Sequence, residues 1–398
     1  MLFALLGQAL ANGQTTHIWI ALEAVDHVQD AELRALLERT DLHARYVSGS
    51  QFPDGGYAVS DGYGELAHWE PFQSAYLAWI QERYTQPWDE EALAHIAFLL
   101  GLGAHGMADQ VFDALYMERA KKVHDAEQDW GAVSFDEATD VIWALEVGPQ
   151  EPADDVPYEV MSELMLSAVG HTVSVETLQD GQLLLGVAVN GVAFLSTNEE
   201  LVQGYRDAYP WGTANLTDPR VAGSPPFEAE IVGAYLDSLW NKLHGRDPGA
   251  TLGSWPRDGD YGHPTEAASA DSWVSVVFAE QQTGVAEGAV TVSGPDGEVA
   301  VDGHLFYSAS VLNLVAAEDY AANATYTIEV GEGQESIHGT SVAAGDRFSF
   351  STAPWPEAPD TAQDTADAGT SEAGCGCGGG ASGWWLLALA GLARRRQA

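Results

Sequence analysis

The densest chemistry in this chain lies at 105–113, where His105, Asp109 and Asp113 stand at i, i+4 and i+8. On a helix these positions drift by only about 80° in total, so all three project from one face. The run before them, from Ala94 to Ala104, is almost wholly apolar and predicts a buried helix. Unpaired charge inside a core is costly, so one His and two Asp there need a reason. A metal cluster supplies one, because imidazole and carboxylate are ordinary ligands for zinc and its neighbours. A capped or salt-bridged helix end is the competing structural reading, and on this helix alone the two are even. A second pair, Asp136 and Asp140, stands at i and i+4 near the start of a helix expected over 134–146. Ser134 through Glu137 has the Ser-x-x-Glu order of a capping box. Acids favour helix N-termini anyway, so alone this pair reads as structural. Three further pieces are His17, Phe52-Pro53-Asp54 in a glycine-rich loop, and His68-Trp69-Glu70-Pro71-Phe72 just before a helix.

These residues need a scaffold, and residues 12–250 predict a helical one. Amphipathic spacing marks Thr16–Val28, Asp30–Thr40, Phe72–Tyr84 and 89–119, with Asp30 and Asp41 as boundary residues. A helix over 225–245 starts with two prolines and stops at Gly245. After about residue 250 Gly, Pro and Asp cluster. Short alternating runs follow, among them AVTVSG, TYTIEV and RFSFSTAP. That pattern predicts a β-sandwich over 262–354. His304 and His338 fall in this part, away from the other candidates. His27 and His43 read as surface residues, and His95 as a helix-flank or core histidine.

Composition narrows the function. Sixteen Lys+Arg against 59 Asp+Glu give a net charge of −43, which repels polyanions and makes nucleic acid an unfavourable partner. Hydrophobic residues at 46%, with 13 Trp, exclude a wholly disordered chain. Two Cys exclude a disulfide scaffold and a Cys-based zinc site. No Gly-x-Ser-x-Gly elbow, P-loop, dinucleotide fingerprint or His-Glu-x-x-His is present.

The ends read as export and anchoring. Residues 1–11 are apolar and close on Ala9-Leu10-Ala11, the tail of a short secretory signal; cleavage after Ala11 leaves Asn12 as the new N-terminus. Residues 355–374 form an acidic, Pro/Thr/Ala-rich linker expected to stay extended. Residues 375–398 carry Cys375-Gly376-Cys377, an apolar run over 384–393 and then Arg394, Arg395 and Arg396. The run is shorter than the ~20 residues of a stable spanning helix, and the arginines set a positive-inside orientation. Linker, Cys-Gly-Cys, apolar run and Arg cluster, in that order, resemble the MYXO-CTERM sorting tail. The resemblance implies a sorting protease acting near the Cys pair and attachment at the cell surface or outer membrane.

Four motifs in order carry a second resemblance: Thr16-His17-Ile18, Phe52-Pro53-Asp54, His68-Trp69-x-Pro71-Phe72, and the apolar helix ending in His105-x3-Asp109. Over roughly 12–245 the chain resembles the zinc-dependent phospholipase C/D family, nearest to the catalytic domain of glycosylphosphatidylinositol-specific phospholipase D. The ending TYTIEV…DRFSFSTAP is similar to bacterial Ig-like domains of the SbsA type. The fold class expected is therefore multidomain, an all-α phospholipase C/D-like domain followed by an Ig-like β-sandwich.

The family resemblance implies a cluster of two or three Zn2+. Asp54, His68, His105 and Asp109 would hold one metal, with Asp109 bridging, and His17 with Asn12 another. The family's later His ligands meet Asp113 and the pair Asp136 and Asp140 here, with His124 the alternative in a looser alignment. A carboxylate site favours Mn2+, Mg2+ or Ca2+, or holds nothing. The implied function is a phosphodiesterase hydrolysing phospholipid or phospholipid-like headgroups with a metal-activated water, which Asp54 orients or deprotonates as the catalytic residue. Trp69 would wall the substrate pocket. Two other readings stay open: a single-strand-type metal nuclease, and a binding or adhesion protein with an eroded cluster.

Overall fold

The computed structural model of the protein describes residues 12–124, 132–284, 286–306, 309–342 and 345–355. The segments expected to serve as export signal (1–11), linker (from residue 356) and sorting tail (375–398) lie outside the described residues.

Helices occupy the first part. They are α1 (Gln14–His27), α2 (Ala31–Leu37), α3 (His43–Gln51), α4 (Asp54–Ala58), α5 (Tyr63–His68), α6 (Glu70–Arg83) and α7 (Glu90–Val111). A π-helical turn, Phe112–Met117, links α7 to α8 (Glu118–Val123). Then come α9 (Ala132–Val147), α10 (Tyr158–Val169), α11 (Val175–Leu195), α12 (Glu199–Ala208), α13 (Pro210–Asn215) and α14 (Pro225–Leu243). Local chemistry sets several starts. Asp30 caps α2 by accepting from the Glu32 and Leu33 amides, and Asp89 caps α7 through the Ala92 amide. Asp41 pairs instead with Arg39. The last of these helices begins with Pro225-Pro226, as the prolines predict. The start of α9 is at Ala132, so Ser134 lies inside its first turn, not at its cap.

The core centres on α7, which is buried from Ile96 to Val111. It crosses α3 at Gly49 and Gly101, where a Cβ on either glycine would overlap the other helix's backbone. Only paired glycines let the two axes come that close.

The second part is antiparallel β-structure. Its strands are β1 (Thr251–Trp255), β2 (Val274–Phe278), β3 (Val290–Gly294), β4 (Gly297–Val299), β5 (Val301–Leu305), β6 (Val311–Ala316), β7 (Thr325–Val330) and β8 (Arg347–Ser351). They form two four-stranded sheets, ordered β1-β2-β6-β5 and β4-β3-β7-β8. Val276, Phe278, Leu312 and Leu314 of the first share one apolar core with Val292, Ile328, Val330 and Phe350 of the second.

The outer face of the first sheet is covered by helices. Val277 and Val311 join the helical core, which explains why β2 is buried throughout instead of alternating between buried and exposed. Polar contacts pin the same junction. Asn313 Nδ2 donates to the Ala114 carbonyl (3.0 Å), and the Gln281 amide donates to Glu70 Oε2 (2.5 Å). Lys242 Nζ lies 3.1 Å from Glu70 and 2.9 Å from Glu280, and His338 Nε2 lies 3.0 Å from Glu70.

Candidate metal centre

Four separate elements bring five side chains to one buried point. His17 comes from the first turns of α1, Asp54 from the start of α4, His68 from the end of α5, and His105 and Asp109 from α7. All five are buried. His68 Nε2 lies 3.2 Å from Asp109 Oδ2 and 3.3 Å from Asp54 Oδ1. His105 Nε2 lies 3.5 Å from Asp109 Oδ2 and 3.8 Å from Asp54 Oδ1. His17 Nε2 lies 3.0 Å from Asp109 Oδ1, and its ring stacks on His105 with centroids 3.7 Å apart. Ligand-type atoms of His17, Asp54 and His105, and of His68, His105 and Asp109, fall within 4.8 Å of one another in each set.

Orientation of the rings favours a cation. His105 Nδ1 donates to the Ser50 carbonyl (2.8 Å), and His68 Nδ1 donates to the Gly64 carbonyl (2.6 Å). A carbonyl can only accept, so each Nδ1 carries a proton. The two Nε2 atoms then face each other at 3.0 Å, beside two carboxylates. His17 Nε2 and Asp109 Oδ1 are close, yet neither makes a hydrogen bond. Acceptors that converge without donors fit a metal, and backbone-anchored imidazoles are how metal ligands are oriented.

Without a cation the site must distribute protons. Burial opposes charge on His68, but the Asp109 and Asp54 carboxylates beside it prevail and push it up to about 10. His105 goes the other way, to about 3, through burial and the neighbouring His17. Asp109 is held below the usual carboxylate range by His17 and His105 despite its burial.

The remaining candidates lie on the far side of Asp109. Asp113 is buried in the π-helical turn, a local widening of the helix that recurs at functional sites. Asp136 is buried with no partner on either oxygen. Burial and the carboxylates of Asp113, Asp109 and Asp54 push it well above the usual range. Asp140 does a different job. Its Oδ1 accepts from the Thr16 amide and Thr16 Oγ1, both at 2.8 Å, and its Oδ2 from the Thr15 amide at 3.3 Å. It therefore caps α1 from another helix, in place of a local cap. Gly13 passes so close that a Cβ there would overlap Asp140. Asn12 is buried, and its Nδ2 donates to Glu228 Oε2 (2.5 Å). The alternative ligand His124 is the C-cap residue of α8 and belongs to neither convergent set.

Sequence reading missed Gln14, whose amide donates to Asp54 Oδ2, and Glu228 of α14. Burial, with the Asp109 and Asp113 carboxylates nearby, pushes Glu228 well above its ordinary value. A signal was present: Glu228 falls on the same helix face as buried Val232, Tyr235 and Leu239. Trp69 does stand beside the cluster, its ring 5.6 Å from that of His68. Tyr57 flanks the same imidazole at 5.2 Å. Glu65 accepts from both, at 2.8 Å each.

Known proteins share part of this chain. Over 118 residues it is 35% identical to the phosphatidylinositol-glycan-specific phospholipase D of Bos taurus. The match covers 27% of this chain and 14% of the bovine protein. The human enzyme of the same name is 32% identical over 118 residues, again 27% and 14%, and that of Dictyostelium discoideum 32% over 107 residues, 24% and 10%. The chain thus spans only about a seventh of the curated relatives it matches. This shared stretch makes it a relative of that phospholipase D. No family model matches. Among solved structures, the S-layer protein rSbsC(31–844) covers 71% of this chain and 45% of its own at 11% identity and a TM-score of 0.20. The N-terminal part of SbsC gives 0.21 at 11% identity, over 81% and 79%. Superpositions of that quality carry no argument.

Proposed function

We propose that the protein is a metal-dependent phosphodiesterase acting on phospholipid or phospholipid-like headgroups. The observation that carries this is the convergence of three imidazole nitrogens and two carboxylates, all buried and short of donors, in a chain related to a phospholipase D. His68, His105, Asp54 and Asp109 form one ligand set, and His17 with Asp109 the edge of a second. Zn2+ suits both donor sets. Asp113 and Asp136 offer an all-oxygen position that suits Mn2+, Mg2+ or Ca2+. Asp140 already accepts three hydrogen bonds from α1, which favours two or three cations that do not need it as a ligand. Divalent cations bound here supply Lewis acidity, lowering the pKa of water and neutralising charge at the phosphoryl oxygens.

The chain's own groups supply position. Asp54 holds Oδ1 toward the histidines, while Gln14 fixes its Oδ2. In this reading it orients the attacking water and takes its proton. Trp69 and Tyr57, tethered together by Glu65, wall the approach to His68 and exclude bulk water. Glu228 holds Asn12 beside the cluster.

The domain arrangement belongs to the same proposal. A helical phosphodiesterase domain (12–250) carries an Ig-like β-sandwich (262–354). A signal (1–11) exports the chain. A linker (355–374) and a Cys-Gly-Cys sorting tail (375–398) anchor it at the surface.

Metal content by mass spectrometry tests the reading. The wild-type chain is expected to hold two or three divalent cations, and Asp109→Ala to lose at least two. Hydrolysis of bis(p-nitrophenyl) phosphate should fall by about 10³-fold or more in that variant. A folded wild-type chain that takes up neither zinc nor manganese would leave an anchored binding module. Hydrolysis of single-stranded DNA in preference to phosphatidylcholine would make it a nuclease.

A further inference from the structure

We propose that the outer face of α11 seats on the surface of a zwitterionic lipid bilayer, an inference that rests on the phosphodiesterase reading for its role. Among the described residues nine large apolar side chains are exposed, and five of them lie on three neighbouring helices: Leu145 on α9, Leu166 on α10, and Leu183, Val187 and Phe194 on α11. Both α9 and α10 pack against α11. Leu183, Val187 and Phe194 are 65%, 45% and 70% exposed. Spaced i, i+4 and i+11, they fall within about 40° of one another around the helix axis, so they form one stripe.

Two helical stretches of the described chain are long and apolar enough to cross a bilayer. The one containing α7 is 83% buried over its apolar window, as a core helix should be; α11 is only 39% buried. No charged residue occurs between Asp180 and Glu199. An apolar face of this kind loses free energy in water and marks an interaction surface.

Charge selects the occupant. A second copy would bring another −43 against the first, and an anionic membrane is repelled in the same way. The stripe holds no Lys or Arg, and exposed acids bound it: Glu176 and Asp180 at one end, Glu199 and Glu200 at the other. A surface of phosphatidylcholine carries no net charge and accepts an apolar helix face at its interface. Position adds a reason for such seating. The α11 backbone touches α4 where a Cβ on Gly181 would come 2.7 Å from the Gly55 carbonyl, one residue from Asp54. The stripe is therefore about one helix diameter, ~10 Å, from the α4 backbone that carries Asp54.

The test compares the full chain with Leu183→Asp/Val187→Asp/Phe194→Asp and with the milder Leu183→Ser/Phe194→Ser. Flotation with palmitoyl-oleoyl-phosphatidylcholine vesicles gives the partition coefficient; the C-terminal segment is common to all chains, so the ratio isolates α11. Circular dichroism confirms that each variant is folded. The expected result is at least a tenfold loss for the triple variant and a smaller loss for the double. Partitioning within twofold of wild type in both variants would overturn the proposal. So would a wild-type dimer in light scattering that the substitutions convert to monomer, or tighter binding to phosphatidylglycerol vesicles. Hydrolysis of soluble bis(p-nitrophenyl) phosphate, measured in parallel, is expected to be unchanged. If no chain hydrolyses it while the partition loss holds, the surface stands and the enzymatic reading fails alone.

Discussion

Asp136 is the residue that most distinguishes a metal centre from a merely acidic core. Both its oxygens are buried without partners, and burial together with the neighbouring carboxylates pushes its pKa well above the usual range when no cation is present. A structural role would make it costly to remove. A ligand role makes it dispensable for folding and needed for loading. Asp136→Asn is therefore expected to leave the metal-free stability within about 1 kcal/mol of wild type, and to lower the metal count by one. Urea denaturation and metal analysis read the two effects separately; a large loss of stability with metal content intact would show a structural acid. The sequence marked Asp136 only as one of a pair. The pair divides, because Asp140 lies one turn on and meets the start of α1 instead.

At the scale of elements, the first helix is held by another helix's carboxylate. Asp140→Ala removes a cap and leaves the Thr15 and Thr16 amides buried, so a loss of about 1–2 kcal/mol is expected. Asp140→Asn keeps an acceptor and should recover most of it. Equal losses in both variants would show that charge, not capping, matters. The junction between α6, α14 and the sheets titrates. Burial opposes ionisation of Glu70, but His338, Lys242 and the Gln281 amide hold its pKa below the ordinary value. The bond to Glu70 raises His338. A raised His338 contributes fully below its unfolded value, near 6.5, and the contribution is lost as pH rises through the folded value. A lowered Glu70 contributes above its unfolded value, near 4.3, and is lost as pH falls through the folded one. The junction is thus firmest between about pH 4.3 and 6.5. His338→Gln should flatten the alkaline limb of the melting curve and shrink the acid limb to the part that Lys242 and the Gln281 amide sustain, as calorimetry against pH would show.

For the whole molecule, −43 on a chain with 16 basic residues means self-repulsion that salt relieves. Raising ionic strength from 0.01 to 0.15 M shortens the screening length from about 30 to about 8 Å. The melting temperature should climb over that range. A flat response would mean that the acids are already neutralised by bound cations, and chelator would then restore the dependence. The joining of helices and sheets into one packed body also belongs to this scale. Asn313 reaching Ala114, and Val277 and Val311 entering the helical core, make the β-part a support for the helix that follows Asp109.

Motifs that resemble a known family marked His17, Asp54, His68, His105 and Asp109 as one set; composition and periodicity were enough to read a helical part followed by a β-part, and the buried α7. These follow from local propensity and from the burial that an apolar run demands. The division of labour among the acids needed the packed chain. Asp140 became a cap, Asp136 an orphan, and Glu228 a neighbour of Asn12, because each depends on which helix passes opposite. Likewise the exposed stripe on α11 is as apolar in sequence as the core helix α7. Only the packing shows which of the two is covered by protein, since hydropathy measures a side chain's preference and not its surroundings.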